Sequence, residues 1–320
     1  FNIAVQQTPP IITFSGGPTV TIERGSISEY THDGTTAVNY MNTNIFSYVV
    51  VSGYVNTNQI GNYTITYNVT DPLSGLSAAQ VSRTVIVQDT TAPTVTSFIM
   101  NDVALKSGET STVTLIFSEE VASFSSSSDI TVANGSLSEM ITTDNITWTG
   151  TYTPNDDVED TTNILTLANT YTDIVGIVGL VSNTANYKVD TLLPTVLSFV
   201  MSDTALKSGE TSTVTLIFSE EVASFSSVSD ITADNGSLST MTTPNNITWI
   251  GTYTPNTDVE DTTNVLILST DYTDIAGNVG PSNTTANYTV DTTFPTIIAE
   301  TTIAYDNTSV VVTFSEPVYN

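Results

Sequence analysis

Acidic side chains return at a fixed interval along this chain. Asp89, Asp190 and Asp291 lie 101 residues apart, and each opens an Asp-Thr-X-X-Pro segment. On the same offset Glu119 and Glu120 match Glu220 and Glu221, and Asp173 matches Asp274. Glu159 and Asp160 stand ahead of Asp190, while Glu316 follows Asp291 in Ser315-Glu316-Pro317-Val318, the counterpart of Ser219-Glu220-Glu221-Val222. Carboxylates brought within about 4 Å of one another repel, so such a group takes up a cation or shifts its pKa values. A hard divalent ion bound by about 6–8 oxygens at roughly 2.3–2.6 Å suits acids, Thr hydroxyls and loop carbonyls. With one His and no Cys, the chain offers zinc few of its preferred ligands, and Ca²⁺ is the expected ion. The plainer alternative is that these acids hold turns and solvate loops.

Other chemistry is weakly signalled. His32-Asp33 has half of a catalytic pair but lies in a Gly/Thr loop with no nucleophile elbow, and reads as a surface loop. Paired carboxylates could hydrolyse glycosides, yet no cleft-lining aromatics accompany them. A net charge of −28, from 33 acids against five bases, argues against a nucleic-acid partner, because Arg24, Arg83, Lys106, Lys188 and Lys207 are scattered and form no basic surface. No apolar run approaches the length of a membrane-spanning helix, so no membrane insertion is expected. The absence of cysteine removes both disulfides and thiolate metal sites.

The elements that must position the acids read as short strands. Residues 104–126 recur without change at 205–227, which marks a tandem array in which each unit adds reach. Alternating runs rich in Thr, Val, Ile, Tyr and Phe, divided by Gly, Pro, Asn and Asp, predict half-buried antiparallel strands. In the first full repeat these fall at residues 94–100, 111–117, 129–133, 136–142, 146–153, 162–168 and 184–189, a number that suits a β-sandwich. Val113, Leu115 and Phe117 point inward by period-two alternation, and Trp148 and Trp249 sit in phase with the apolar faces of their strands as core anchors. The sequence-distinct module ahead of the repeats reads as strands at 11–14, 19–23, 46–54, 61–70 and 81–88, with Asp71-Pro-Leu-Ser-Gly75 as a hairpin turn. The expected division is 1–7, 8–88, 89–189, 190–290 and 291–320. Residues 1–7 read as a closing or exchanged strand, and 291–320 as the start of a further module.

Residues 89 onward resemble bacterial Ig-like repeats of large surface adhesins. The resemblance rests on Asp190-Thr-Leu-Leu-Pro194, Asp291-Thr-Thr-Phe-Pro295 and the turn Thr273-Asp-Ile-Ala-Gly-Asn278. The first module is similar to a related Ig-like domain through Gly61-Asn-Tyr-Thr-Ile-Thr-Tyr-Asn-Val-Thr-Asp71. The second module departs from the turn pattern with Thr172-Asp-Ile-Val-Gly-Ile177. The resemblance implies an all-β chain of tandem Ig-like antiparallel sandwiches in an elongated rod, and the same ion, Ca²⁺.

In such a sandwich the loops after the second and sixth strands lie where the chain enters, and the loop after the fifth lies where it leaves. Asp190 is then expected to meet Glu220, Glu221 and Asp274, with Glu159 and Asp160 close behind. Asp89, Glu119, Glu120 and Asp173 form the matching group, and Asp291 with Glu316 begin a third. Gln7 replaces the linker acid at the Pro9-Pro10 joint, where weak binding or none is expected. The chain is thus expected to be a non-enzymatic, extracellular or cell-surface stalk or filament segment, stiffened by calcium. Its expected partners are neighbouring modules of the same or identical chains, with a glycan or protein receptor outside this segment. The alternatives are a self-assembling sheath, fibre or virion-surface subunit joined by end-strand exchange, and a carbohydrate-binding module using Tyr30, Tyr40, Tyr48 and Tyr54.

Overall fold

The computed structural model describes residues 6–298, 302–303 and 308–318. The expected closing strand at residues 1–7 lies largely outside them. The chain is all-β and divides into two compact units: Phe1–Thr94 with Ser118–Phe124 and Asn169–Leu180, and Val95–Phe117 with Ser125–Ala168 and Val181–Asn320.

In the first unit, Thr19–Glu23, Val81–Gln88, Gly61–Asn68 and Val50–Ser52 form one sheet in that order, and Ile11–Phe14 pairs with Thr35–Val38 in another. Alternation along Gly61–Asn68 turns Ile65 and Tyr67 inward, where they meet Ile12, Ala37, Val85 and Val87. Thr19–Glu23 runs parallel to Val81–Gln88, a pairing that period-two patterning alone does not reveal. The expected strand at 46–54 is instead a 3₁₀ turn, Phe46–Tyr48, followed by the strand Val50–Ser52. The expected hairpin turn forms: Asp71 accepts the Ser74 hydroxyl at 2.7 Å and the Leu73 N–H at 3.2 Å, and the Gly75 N–H closes onto Asp71 O at 2.8 Å.

In the second unit the two repeats are built alike. One sheet orders Gly135–Leu137, Thr147–Pro154, Ser111–Phe117 and Val95–Met100; the other repeat orders Gly236–Leu238, Thr248–Pro255, Ser212–Phe218 and Val196–Met201. A second sheet places Tyr187–Asp190 between Glu159–Asn163 and Ala104–Lys106, matched by Tyr288–Asp291 between Glu260–Asn264 and Ala205–Lys207. Val113, Leu115 and Phe117 are fully buried, as their alternation predicts. Trp249 is only partly buried; it packs on the core edge-to-face with Phe225, ring centroids 4.8 Å apart. The strand expected at 129–133 shortens to Ile130–Thr131 because Ser126–Asp129 makes one helical turn, and Asp129 accepts the N–H of Ser125 at 2.8 Å. No helix among the described residues is long and apolar enough to cross a membrane.

Candidate metal centres

The linker acids are placed by strands on one side and by turns on the other. Asp190 ends the strand Tyr187–Asp190, and the next residue anchors the linker behind it. The Thr191 hydroxyl donates to Asn155 O at 2.7 Å and accepts the Val158 N–H at 3.0 Å, while the Thr191 N–H donates to Val158 O at 2.7 Å. Thr292 repeats this arrangement with Asn256 and Val259. At Asp89 the anchoring carboxylate is Glu23, which accepts the Thr90 N–H and the hydroxyls of Thr90 and Thr91. Those bonds, led by the Thr90 N–H, hold the Glu23 pKa below its ordinary value.

The glutamates come from the residues just past Phe117 and Phe218. Alternation continues beyond each strand, so Glu119 and Glu220 are half-buried, whereas Glu120 and Glu221 are exposed. The turn acids Asp173 and Asp274 are each 1% exposed and are held by isolated bridges to Val121 and Val222. Asp173 Oδ1 accepts the N–H groups of Val175 and Ile177 at 2.8 and 2.9 Å. Asp274 Oδ1 accepts those of Gly277 and Asn278 at 2.7 and 2.9 Å.

Two carboxylate triads result among the described residues. Asp89, Glu119 and Asp173 offer one oxygen each, all within 4.8 Å of one another, and Asp190, Glu220 and Asp274 do the same. Asp89 Oδ2, Asp173 Oδ2, Asp190 Oδ1 and Glu220 Oε1 are buried without a hydrogen-bond partner. A buried acceptor left unmade costs about 1–3 kcal/mol, more when charged. Burial first, then Asp274, Asp190 and Glu159, push Glu220 up to about 7. Burial, Asp274 and Glu159 likewise raise Asp190. Glu119 is raised by burial, Asp89 and Asp173, with Arg24 opposing.

The remaining acids of the expected groups fall elsewhere. Glu159 stands opposite Asp190 across an antiparallel pair and adds repulsion from the rim. Asp160 instead closes a turn, accepting the Thr162 N–H at 2.8 Å and the Asn134 amide at 2.8 Å. Asp291 is exposed and accepts the Thr293 hydroxyl at 2.9 Å; neither it nor Glu316 joins a triad among the described residues.

The bases are less scattered in space than in sequence. Arg24 Nε lies 3.7 Å from Asp89 Oδ2, Lys106 is in register with Asp190, and Lys207 with Asp291. One base therefore stands beside each linker acid. Arg24 also borders a cavity of about 530 Å³ with Glu23, Asn58, Asp89 and Glu119. The linker threonines stand in the repeated Asp-Thr-X-X-Pro segments, but their anchoring of the linker to the preceding repeat was not read from the sequence. His32 is pinned by Tyr67, Nδ1 to Oη 2.9 Å. Of the candidate sugar-platform residues, Tyr48 and Tyr54 are exposed, while Tyr30 packs against the core.

Residues 12–87 match a family described as "Bacterial surface protein, Ig-like domain". No curated protein matches the chain. Among solved structures, the chain is similar to a Clostridium perfringens ZmpB fragment containing CBM51-2 and INT domains (23% identity, 38% of this chain and 30% of that one, TM-score 0.22). It is also similar to the eight N-terminal Ig domains of Down Syndrome Cell Adhesion Molecule (13% identity, 92% and 38%, TM-score 0.37) and to titin domains I67–I69 (10%, 89% and 99%, TM-score 0.38). The chain thus spans less than two-fifths of the first two. Residues 89–189 and 190–290 each match the bacterial Ig-like domain family over their whole length, and the chain belongs to that family.

Proposed function

We propose that the chain is a non-enzymatic segment of a bacterial cell-surface stalk or adhesin, and that Ca²⁺ binds at its joints at Asp89 and Asp190. The observation that carries this reading is the pair of triads, each with buried carboxylate oxygens that have no hydrogen-bond donor. Three carboxylates in so small a volume leave a net negative charge even where Arg24 offsets one of them. An oxygen-only donor set of this charge fits a hard divalent ion, with loop carbonyls or water completing the shell. Binding at a joint removes hinge freedom, so the ion favours the closed state by mass action. The match of residues 12–87 to a bacterial surface-protein domain supports a cell-surface setting, and the tandem repeats support a role through length and stiffness.

Small-angle scattering of the chain in calcium and then in chelator tests the reading. A maximum dimension that falls on chelation and recovers with calcium supports it; an identical profile in both conditions removes the calcium joints. Asp190→Ala is expected to abolish one of two calcium-binding events in titration calorimetry while leaving the other.

A further inference from the structure

The two triads repeat each other in charge but differ four residues past the turn acid. In the second triad that position is Asn278, 3% exposed. Its amide nitrogen donates to Asp190 O at 2.9 Å, Leu192 O at 3.3 Å and Asp274 Oδ2 at 2.8 Å, and its Oδ1 accepts the Ser107 N–H at 2.8 Å. Beside it, Lys106 Nζ donates to Gly277 O at 3.4 Å. One buried side chain therefore fastens three segments: the turn after Ala104–Lys106 in the preceding repeat, the linker, and the turn of the following repeat. Each of its bonds is to backbone or to Asp274, so none needs an ion.

In the first triad the same position is Ile177. Its N–H still closes the turn onto Asp173 Oδ1, but it has no amide to offer the linker. Asp173 Oδ2, in a side chain 1% exposed, has no hydrogen-bond partner. The nearby cation is Arg24, whose 3.7 Å approach to Asp89 is too long for a hydrogen bond.

We propose that Asn278 is an ion-independent latch that holds the 89–189 and 190–290 repeats together at Asp190, whereas the joint at Asp89, with Ile177 in that place, depends on a bound divalent cation to close. The second half rests on the calcium reading above; the first half does not. A chain with one latched and one ion-dependent joint loses stiffness at a defined place when calcium falls.

The chain has no cysteine, so introduced pairs carry spin labels without background. Glu139→Cys with Thr240→Cys reports on the joint at Asp190, and Thr64→Cys with Ala122→Cys on the joint at Asp89; all four positions are exposed. Pulsed electron paramagnetic resonance then gives a distance distribution for each pair in calcium and in chelator. The 139/240 distribution is expected to keep its width in chelator while the 64/122 distribution broadens. Asn278→Ile copies the residue the sister repeat already carries; in chelator it is expected to raise the open fraction at Asp190 on the order of tenfold, the loss of one to two buried hydrogen bonds. Asn278→Leu keeps nearly the same volume, lacks the amide and adds no charge, and in chelator it is expected to open the joint as well, which separates lost bonding from the β-branched shape of Ile. The latch is overturned if neither variant changes the 139/240 width in chelator, or if that pair broadens in the unsubstituted background as much as 64/122 does. Should calcium narrow neither pair in any background, the calcium reading fails, while broadening by the Asn278 variants still upholds the latch.

Discussion

Glu220 sits at the point of greatest electrostatic conflict, half-buried between Asp190 and Asp274 with Glu159 behind, and is pushed up to about 7. A folded-state pKa above the ordinary carboxylate range means that, without a cation, folding favours the protonated acid. The stability this lends is full below about pH 4 and is lost as the pH rises through about 7. In chelator, the melting temperature is therefore expected to fall between about pH 5 and pH 8, and Glu220→Gln to flatten that slope. Calcium must displace the same proton, so its apparent affinity is expected to rise over about pH 6 to 8. Calorimetry in buffers of different ionisation enthalpy measures the proton released, and an affinity independent of pH rules out Glu220 as a ligand. The carboxylates that form the triads were legible from the 101-residue offset. What that offset could not do was choose between Glu119 and Glu120, or Glu220 and Glu221. Period-two alternation from Phe117 and Phe218 makes the choice, since the second residue after each faces the core side. Asp160 read as a ligand because an acid in a joint loop has the same signature whether it binds an ion or caps a turn.

Each joint depends on two short elements, the linker and the turn that meets it. Thr191 fixes the linker to the preceding repeat through a hydroxyl that both donates and accepts. Thr191→Val keeps the shape and removes that group, leaving the Val158 N–H and Asn155 O unpaired. A loss of about 1–3 kcal/mol in denaturant unfolding is expected, with weaker calcium binding at Asp190 alone. The turn depends on packing beneath it. A Cβ at Gly280 would lie 2.2 Å from the Tyr272 ring, which is itself fully buried against Phe218. Gly280→Ala is expected to cost about 1–3 kcal/mol through overpacking and to displace Asp274, two residues after Tyr272. Unchanged stability and calcium affinity would show that the turn tolerates the shift. The long strands Ser111–Phe117 and Thr147–Pro154 were legible because Val113, Leu115 and Phe117 alternate with Thr112 and Thr114, and Trp148 and Tyr152 with Thr147, Thr149 and Thr151, a period that belongs to a strand and not to a helix. The strand Ala104–Lys106 was missed because three residues carry no period, and it is held by a parallel partner more than 80 residues away, Tyr187–Asp190.

Across the whole chain, 33 acids face five bases, and the bases beside the linker acids are too few to balance them. Residues 89–290 share the fold of the matched family, but a charge distribution of this kind sets the conditions under which that fold is stable. In most proteins added salt screens favourable ion pairs; here the dominant exposed interaction is repulsion between carboxylates. At an ionic strength of about 0.1 M the screening length is about 10 Å, and it is about 30 Å at 0.01 M. In chelator near neutral pH, raising sodium chloride from about 0.01 to 0.5 M is therefore expected to raise the melting temperature by several degrees. In saturating calcium the same change is expected to do less, because the most closely spaced carboxylates are already neutralised, and at high salt screening also weakens calcium binding. Differential scanning calorimetry across the four conditions distinguishes the two contributions. A melting temperature that falls with salt in chelator would mean that ion pairs such as Arg24 with Asp89, rather than unrelieved acid clusters, govern the stability of the joints.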